Sequence, residues 1–255
     1  MARYRYTFES RTEFSVPVSD HSFMLRTTPL NDGLQRLEAA SLTVSPAPDS
    51  ISEGRDVWGS AQDYGIIRDM HREFSFVSKG IIEVSAGSRK DPAPSPVFLN
   101  HSALTSYSPA MSGLCAQGDS LDAAARIAAS VNRTISYVPG STDVTTSAEE
   151  AFEQGKGVCQ DYSHVMIAVC RKCGIPARYV CGFVIGEGET HAWTEIWHEG
   201  AWYGFDATSG LRCDDRYIAL SFGRDAADCS VSRGVFMGAA LQRTQTRVVV
   251  ETESK

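Results

Sequence analysis

The stretch "GKGVCQDYSHVMIAVCRKCGIPARY", residues 155–179, sets a cysteine at the head of an apolar helical segment. Apolar residues fall at Val158, Tyr162, Val165, Met166, Val169 and Cys173, the spacing of one helix face, and Ile167 and Ala168 extend that face to the other side. No charged residue stands between Asp161 and Arg171, so the pattern predicts a helix from Val158 to Cys173 buried on most sides. Gly174 and Pro176 end it. Cys159 then lies in the first turn, where unpaired backbone N–H groups favour a thiolate. Gly155 and Gly157 let a substrate chain approach closely. The other cysteines lack this setting. Cys170 and Cys173 sit near the helix C-terminus, and Cys181 falls inside a predicted strand.

Working outward, two segments before this helix are helical. "SLDAAARIAASVNRTISYV" starts with Ser120 as its predicted N-cap and Asp122 in its first turn. "TTSAEEAFEQGKG" has Ser147 as cap, Glu150 as capping-box partner and Gly155 as stop. Three strands follow the cysteine helix, "ARYVCGFVIG", "HAWTEIWHEG" and "AWYGFDAT", with a tight hairpin turn from His198 to Ala201. "TRVVVETES" predicts a closing strand. Residues 1–112 read as β-rich: "YRYTFES", "SFMLRTTPL", "LQRLEAASLTVSP", "DYGIIRDM" and "GIIEVSAG" are short runs of partial alternation, and Asn31 to Gly33 reads as a hairpin turn. "RKDPAPSPVF" reads as an extended connection near the boundary. The expected organisation is a β-rich region over 1–112 and an α+β core over 113–255 that includes the last strand.

A cysteine nucleophile needs a base, and the base needs an orienting group. His191 opens one strand of the predicted hairpin, and Asp206 lies 15 residues later near the end of the other. A turn centred near residue 199 places 191 opposite about 206 or 207. Facing residues there have Cβ atoms roughly 4.5–5.5 Å apart, within reach of an imidazole–carboxylate hydrogen bond.

These blocks carry a resemblance. "GKGVCQDYSHVMIAVCRKCGIPARYVCGF", "ETHAWTEIW" and "WYGFDATSG" resemble the transglutaminase-like superfamily, whose papain-like core uses a Cys–His–Asp triad in this chain order. The resemblance implies Cys159 as nucleophile, His191 as base and acid, and Asp206 as orienter. Residues 1–85, with "LTVSPAPD" and "FSFVSKGIIEV", resemble the β-rich domain that precedes many bacterial cores of this kind, and "ALSFGRDAADCSVSRGVFMG" resembles their shared tail. The chain departs from the pattern at two places. Ala207 stands where Asp-Pro-Thr is common, and Gln160 follows the cysteine where Arg or Lys is frequent. The implied chemistry is acyl transfer on a peptide amide or isopeptide bond through a thioester, with hydrolysis as the leading outcome. Transglutamination or deamidation, and a non-catalytic peptide-binding module, are the alternatives. The Cys159 N–H is one oxyanion donor; Gln154 and Gln160 are candidates for the second by proximity in sequence, and Trp193 is a candidate for substrate stacking.

The flanking residues take plainer roles. Asp161 is a first-turn acid, and His164 is a buried, hydrogen-bonded residue off the Cys159 face. Cys170-x-x-Cys173 lacks a second metal-ligand pair and sits at the wrong helix end for redox chemistry. No metal or organic cofactor is implied, and no EF-hand-like loop suggests calcium. A net charge of −7 with no Lys/Arg-rich block argues against nucleic acid and anionic membranes as partners, leaving a peptide or protein substrate. No membrane span is expected, and "MARYRYTFES" lacks an apolar signal region. With seven cysteines in no regular framework, a reducing cytoplasm is the expected location.

Overall fold

The computed structural model describes residues 1–253 as an α+β protein built on two large antiparallel sheets and three α-helices, with a small parallel pair (Ser136–Tyr137 with Lys156–Gly157) just before Cys159. The first sheet is assembled on one long strand, β1 (Ala2–Leu25), which absorbs two of the short runs expected separately. Its alternating burial sends Tyr4, Tyr6 and Phe8 inward, the signature of a half-buried strand. It pairs with β5 (His71–Val84) and with β4 (Ala61–Ile67); β2 (Gln35–Ser45) joins β5, and β3 (Ser50–Arg55) joins β4. Asn31 to Gly33 is not a hairpin turn. β1 and β2 both pair with β5, and the loop between them is closed by Asp32, whose Oδ1 accepts from the N–H groups of Leu34 and Gln35.

Helix α1 (Ser120–Thr134) is capped by Asp119, whose side chain accepts from Leu121 N–H, so Ser120 is its first residue and not its cap. The shift is one residue, and the stronger acceptor took the position. Helix α2 (Ala148–Gln154) carries the expected Ser147–Glu150 capping box and ends at Gly155, φ 63°. Helix α3 (Cys159–Lys172) is buried from Asp161 to Arg171. It packs with α1 and α2 on the second sheet, whose main strands run β8 (Ala201–Asp206), β7 (His191–His198), β6 (Ala177–Val184), β9 (Tyr217–Gly223). The helix face and the sheet share a core that includes Ile127, Val131, Val165, Met166, Ile196 and Phe205.

The two sheets also share a core. Phe183 of β6 and Ile218 and Leu220 of β9 pack among Tyr6, Phe8, Ile82 and Val248, with the Phe8 and Phe183 rings edge to face at 5.3 Å. The chain's last strand, β11 (Gln242–Thr252), does not join the second sheet. It lies along β1 from Phe14 to Tyr4, and β10 (Ser232–Met237) also pairs with β1. The valines of β11 explain the placement: Val248 and Val250 fill the first sheet's core. Ser254, the last residue of the predicted closing strand, lies outside the described residues. The Pro-rich connection is extended only in part: Pro96–Leu99 forms a 3-10 turn that buries Phe98. Arg89–Lys90 adds to β8, and the Nε1–H groups of Trp197 and Trp202 both donate to Asp91.

Candidate active site

Cys159 is the first residue of α3; the Asp161 and Tyr162 N–H groups donate to the Val158 carbonyl at 2.9 and 3.2 Å, and the Cys159 and Gln160 N–H groups precede these bonds. The turn is held by Asp161. The Asp161 Oδ2 accepts from Val158 N–H at 2.7 Å and from the Thr142 hydroxyl at 2.7 Å. Burial pushes this carboxyl's pKa up, against those bonds. Gly157 makes the arrangement possible: a Cβ there would stand 2.6 Å from the Asp161 Cβ and Oδ2. The Ser163 hydroxyl donates to the Cys159 carbonyl at 2.8 Å.

The hairpin turn forms at Glu199 and Gly200, both at positive φ, with His198 paired to Ala201. The register differs from the expected one. Thr194 faces Phe205, so Asp206 is a diagonal neighbour of His191 and not its opposite. The contact forms nonetheless, with His191 Nε2 3.0 Å from Asp206 Oδ2. This leaves His191 Nδ1 unengaged by Asp206, and Cys159 lines the same cleft. Burial works to lower the His191 pKa, but the hydrogen bonds and charges of Asp206 and Cys159 outweigh it and lift it to about 10. Asp206 is 4 % exposed; burial opposes its ionisation, yet the bonds from His191, Tyr217 and the Thr208 N–H hold its pKa below the ordinary carboxylate range. Cys159, His191 and Asp206 line one cleft of about 760 Å³, together with Tyr137, Val184, Glu189 and Tyr217.

All seven cysteines are free thiols. Burial raises the thiol pKa of Cys173 to about 11 and of Cys181 to about 12, and raises Cys170, Cys213 and Cys229 as well. The Cys170-x-x-Cys173 pair is therefore unbridged and protonated. His164 is fully buried in α3, and its Nε2 accepts from Ala226 N–H at 3.1 Å.

The secondary candidates lie elsewhere. Gln154 is exposed at the end of α2, outside the cleft lining. Gln160 turns away, its Nε2 donating to the Asp143 carbonyl at 3.4 Å. Sequence proximity fails for both because Gln154 ends α2 and faces solvent, while the Gln160 side chain in the first turn of α3 bonds the Asp143 carbonyl. Trp193 is 2 % exposed and no stacking surface for a ligand: it lies behind His191, ring centroids 6.4 Å apart, and edge-on to Tyr217 at 5.4 Å.

One member escapes sequence reasoning. The Tyr217 hydroxyl donates to Asp206 Oδ2 at 2.9 Å. Tyr217 opens β9, and only the sheet order, with β6 between β7 and β9, brings it to Asp206. No spacing in "DDRYIAL" announces this.

Residues 112–207 match the transglutaminase-like superfamily, and residues 4–83 match the bacterial transglutaminase-like N-terminal region. An uncharacterised protein of Mycobacterium leprae is 29% identical over 98% of this chain and 98% of its own. An uncharacterised protein of Mycobacterium tuberculosis is 29% identical over 91% of this chain and 87% of its own. A crystal structure described as a candidate cysteine protease from Cytophaga hutchinsonii has the same fold, with a TM-score of 0.83 at 23% identity, covering 100% of this chain and 91% of that one.

Proposed function

We propose that this chain, which belongs to the transglutaminase-like superfamily, is a cysteine enzyme that cleaves an amide or isopeptide bond of a peptide, with Cys159 as nucleophile. One observation supports this reading: His191 Nε2 is bonded to Asp206 at 3.0 Å, which leaves Nδ1 as the nitrogen available to Cys159 in the cleft that all three line. His191 Nδ1 takes the Cys159 thiol proton, the sulfur attacks the carbonyl carbon, and the carbonyl π electrons move to oxygen. The Cys159 N–H, free in the first turn, stabilises that oxyanion. As the C–N bond breaks, His191 gives its Nδ1 proton to the leaving amine. A thioester remains. Water then attacks it, His191 takes the proton, and the acid leaves as the thiol is restored. Asp206 holds the imidazole in orientation and stabilises its positive charge.

Water is the acceptor in this proposal, and an amine would give transamidation instead. The seven free thiols support a reducing compartment such as the cytoplasm. No helix among the described residues is long and apolar enough to cross a membrane. The test is turnover of a peptide library with excess labelled amine present. Cleaved peptides without label are expected; label incorporated into the acyl product would replace hydrolysis by transfer.

A further inference from the structure

Asp206 is the acceptor for three donors. The Thr208 N–H takes Oδ1 at 2.8 Å, while His191 Nε2 and the Tyr217 hydroxyl share Oδ2 at 3.0 and 2.9 Å. A carboxylate with 4 % exposure depends on such donors to stay ionised. Tyr217 also fixes the far side of the pair, since its ring touches both His191 (6.2 Å) and Trp193 (5.4 Å). The Trp193 ring closes over Gly182, where a Cβ would stand 2.7 Å from that ring and 2.0 Å from the Ile218 carbonyl oxygen.

The position of Tyr217 is set from the first sheet. Two residues along β9, the backbone of Ala219 is gripped by the side chain of Gln35 on β2. The Ala219 N–H donates to Gln35 Oε1 at 2.6 Å, and Gln35 Nε2 donates to the Ala219 carbonyl at 2.9 Å. Gln35 is 1 % exposed. The same Oε1 accepts from Arg89, which also bonds Glu195 on β7, the strand that carries His191. One buried polar node thus holds both strands that meet at Asp206.

From this geometry we infer that Tyr217 is a positioning residue of the proposed reaction, acting through Asp206, and that the N-terminal region contributes to the site by locking β9 through Gln35. The inference rests on the proposed roles of Cys159 and His191. Without the phenolic donor, Asp206 takes a proton at higher pH. His191 then loses its counter-charge, and the reactive form of the cysteine disappears sooner on acidification.

The experiment is the pH profile, from pH 4 to 9, of Cys159 carbamidomethylation by iodoacetamide, read by mass spectrometry of the intact chain. Four proteins are compared: wild type, Tyr217→Phe, Asp206→Asn, and the double variant. Tyr217→Phe is expected to move the acid limb up by about half a pH unit, roughly a threefold loss of rate on that limb. In the Asp206→Asn background the same change is expected to do nothing further, because the carboxylate it serves is gone. Superimposable wild-type and Tyr217→Phe profiles would overturn the inference. So would a Tyr217→Phe effect that persists unchanged in the Asp206→Asn background, which would mean that the hydroxyl only fills space. A wild-type profile that follows a free thiol throughout would instead overturn the proposed function itself.

Discussion

The Nε2 of His191 lies 3.0 Å from Oδ2 of Asp206, and this one bond decides which imidazole nitrogen is left for Cys159. It also fixes the charge. His191 has its pKa lifted to about 10, and Asp206 is held below the carboxylate range. The folded histidine value exceeds the unfolded one of about 6.5, so its stabilising contribution is complete below that pH and is lost as pH rises through about 10. Asp206→Asn removes the counter-charge and can present the wrong hydrogen-bonding face to the imidazole. Peptide cleavage is expected to fall by about 10²–10⁴. The thermal midpoint of the variant should also decline less than that of wild type between pH 7 and 10. A melting series at three pH values and a single-turnover assay check both.

His164 gives the opposite sign. Burial lowers its pKa to about 4, while the unfolded chain binds the proton near 6.5. Protonation would place a hydrogen on the nitrogen that accepts from Ala226. Stability is therefore complete above about pH 6.5 and is lost as pH falls from there towards 4. His164→Gln keeps an acceptor and cannot charge. Its unfolding free energy, from urea titration, should change less than that of wild type between pH 7 and 5.

Asp161 holds the turn that presents the cysteine. Asp161→Ala leaves Val158 N–H and the Thr142 hydroxyl without their shared acceptor. The expected cost is about 1–3 kcal/mol of stability. Gly157→Ala drives a Cβ into the same carboxylate and should lower both stability and cleavage. Denaturation midpoints with parallel rate measurements test this; a Gly157→Ala enzyme of wild-type stability would contradict it.

Glu195 is shared by Arg89 and Arg178, and Arg178 is stacked between Trp202 and Phe222 at 4.2 and 3.7 Å. Breaking such a buried cluster by removing one partner strands the other charges. Glu195→Ala is expected to destabilise the fold by about 3–5 kcal/mol. Because Arg89 links this node to Asp32 and Gln35, the loss should appear as one cooperative unfolding step for both sheets. Calorimetry showing a separate transition for the second sheet would argue against that coupling.

Much of the half that holds Cys159, His191 and Asp206 is legible in the chain. The helix at Cys159, the capping box at Ser147 and the turn at His198 are local signals, written in three or four adjacent residues each. Hairpin spacing predicts the His191–Asp206 contact, although the true pairing is diagonal. What stays hidden depends on contacts far apart in sequence. Tyr217 reaches Asp206 only through strand order, Gln35 meets Ala219 across 184 residues, and β11 returns to β1 at the opposite end of the chain. Gln154 and Gln160 are suggested by proximity alone, and side-chain direction at a helix end is not given by proximity. Trp193 has the composition of a groove wall, but it packs inward because Gly182 leaves room for its ring.

The role of Cys159 is tested most directly by its reactivity relative to the other six thiols. Native protein is treated with limiting iodoacetamide at pH 6, and every cysteine-containing peptide is quantified. Cys159 should be modified first and far faster than a free thiol, and His191→Ala should abolish that advantage. Uniform slow labelling, or a Cys159 rate equal to that of a free thiol and indifferent to His191→Ala, would contradict a nucleophile at this position.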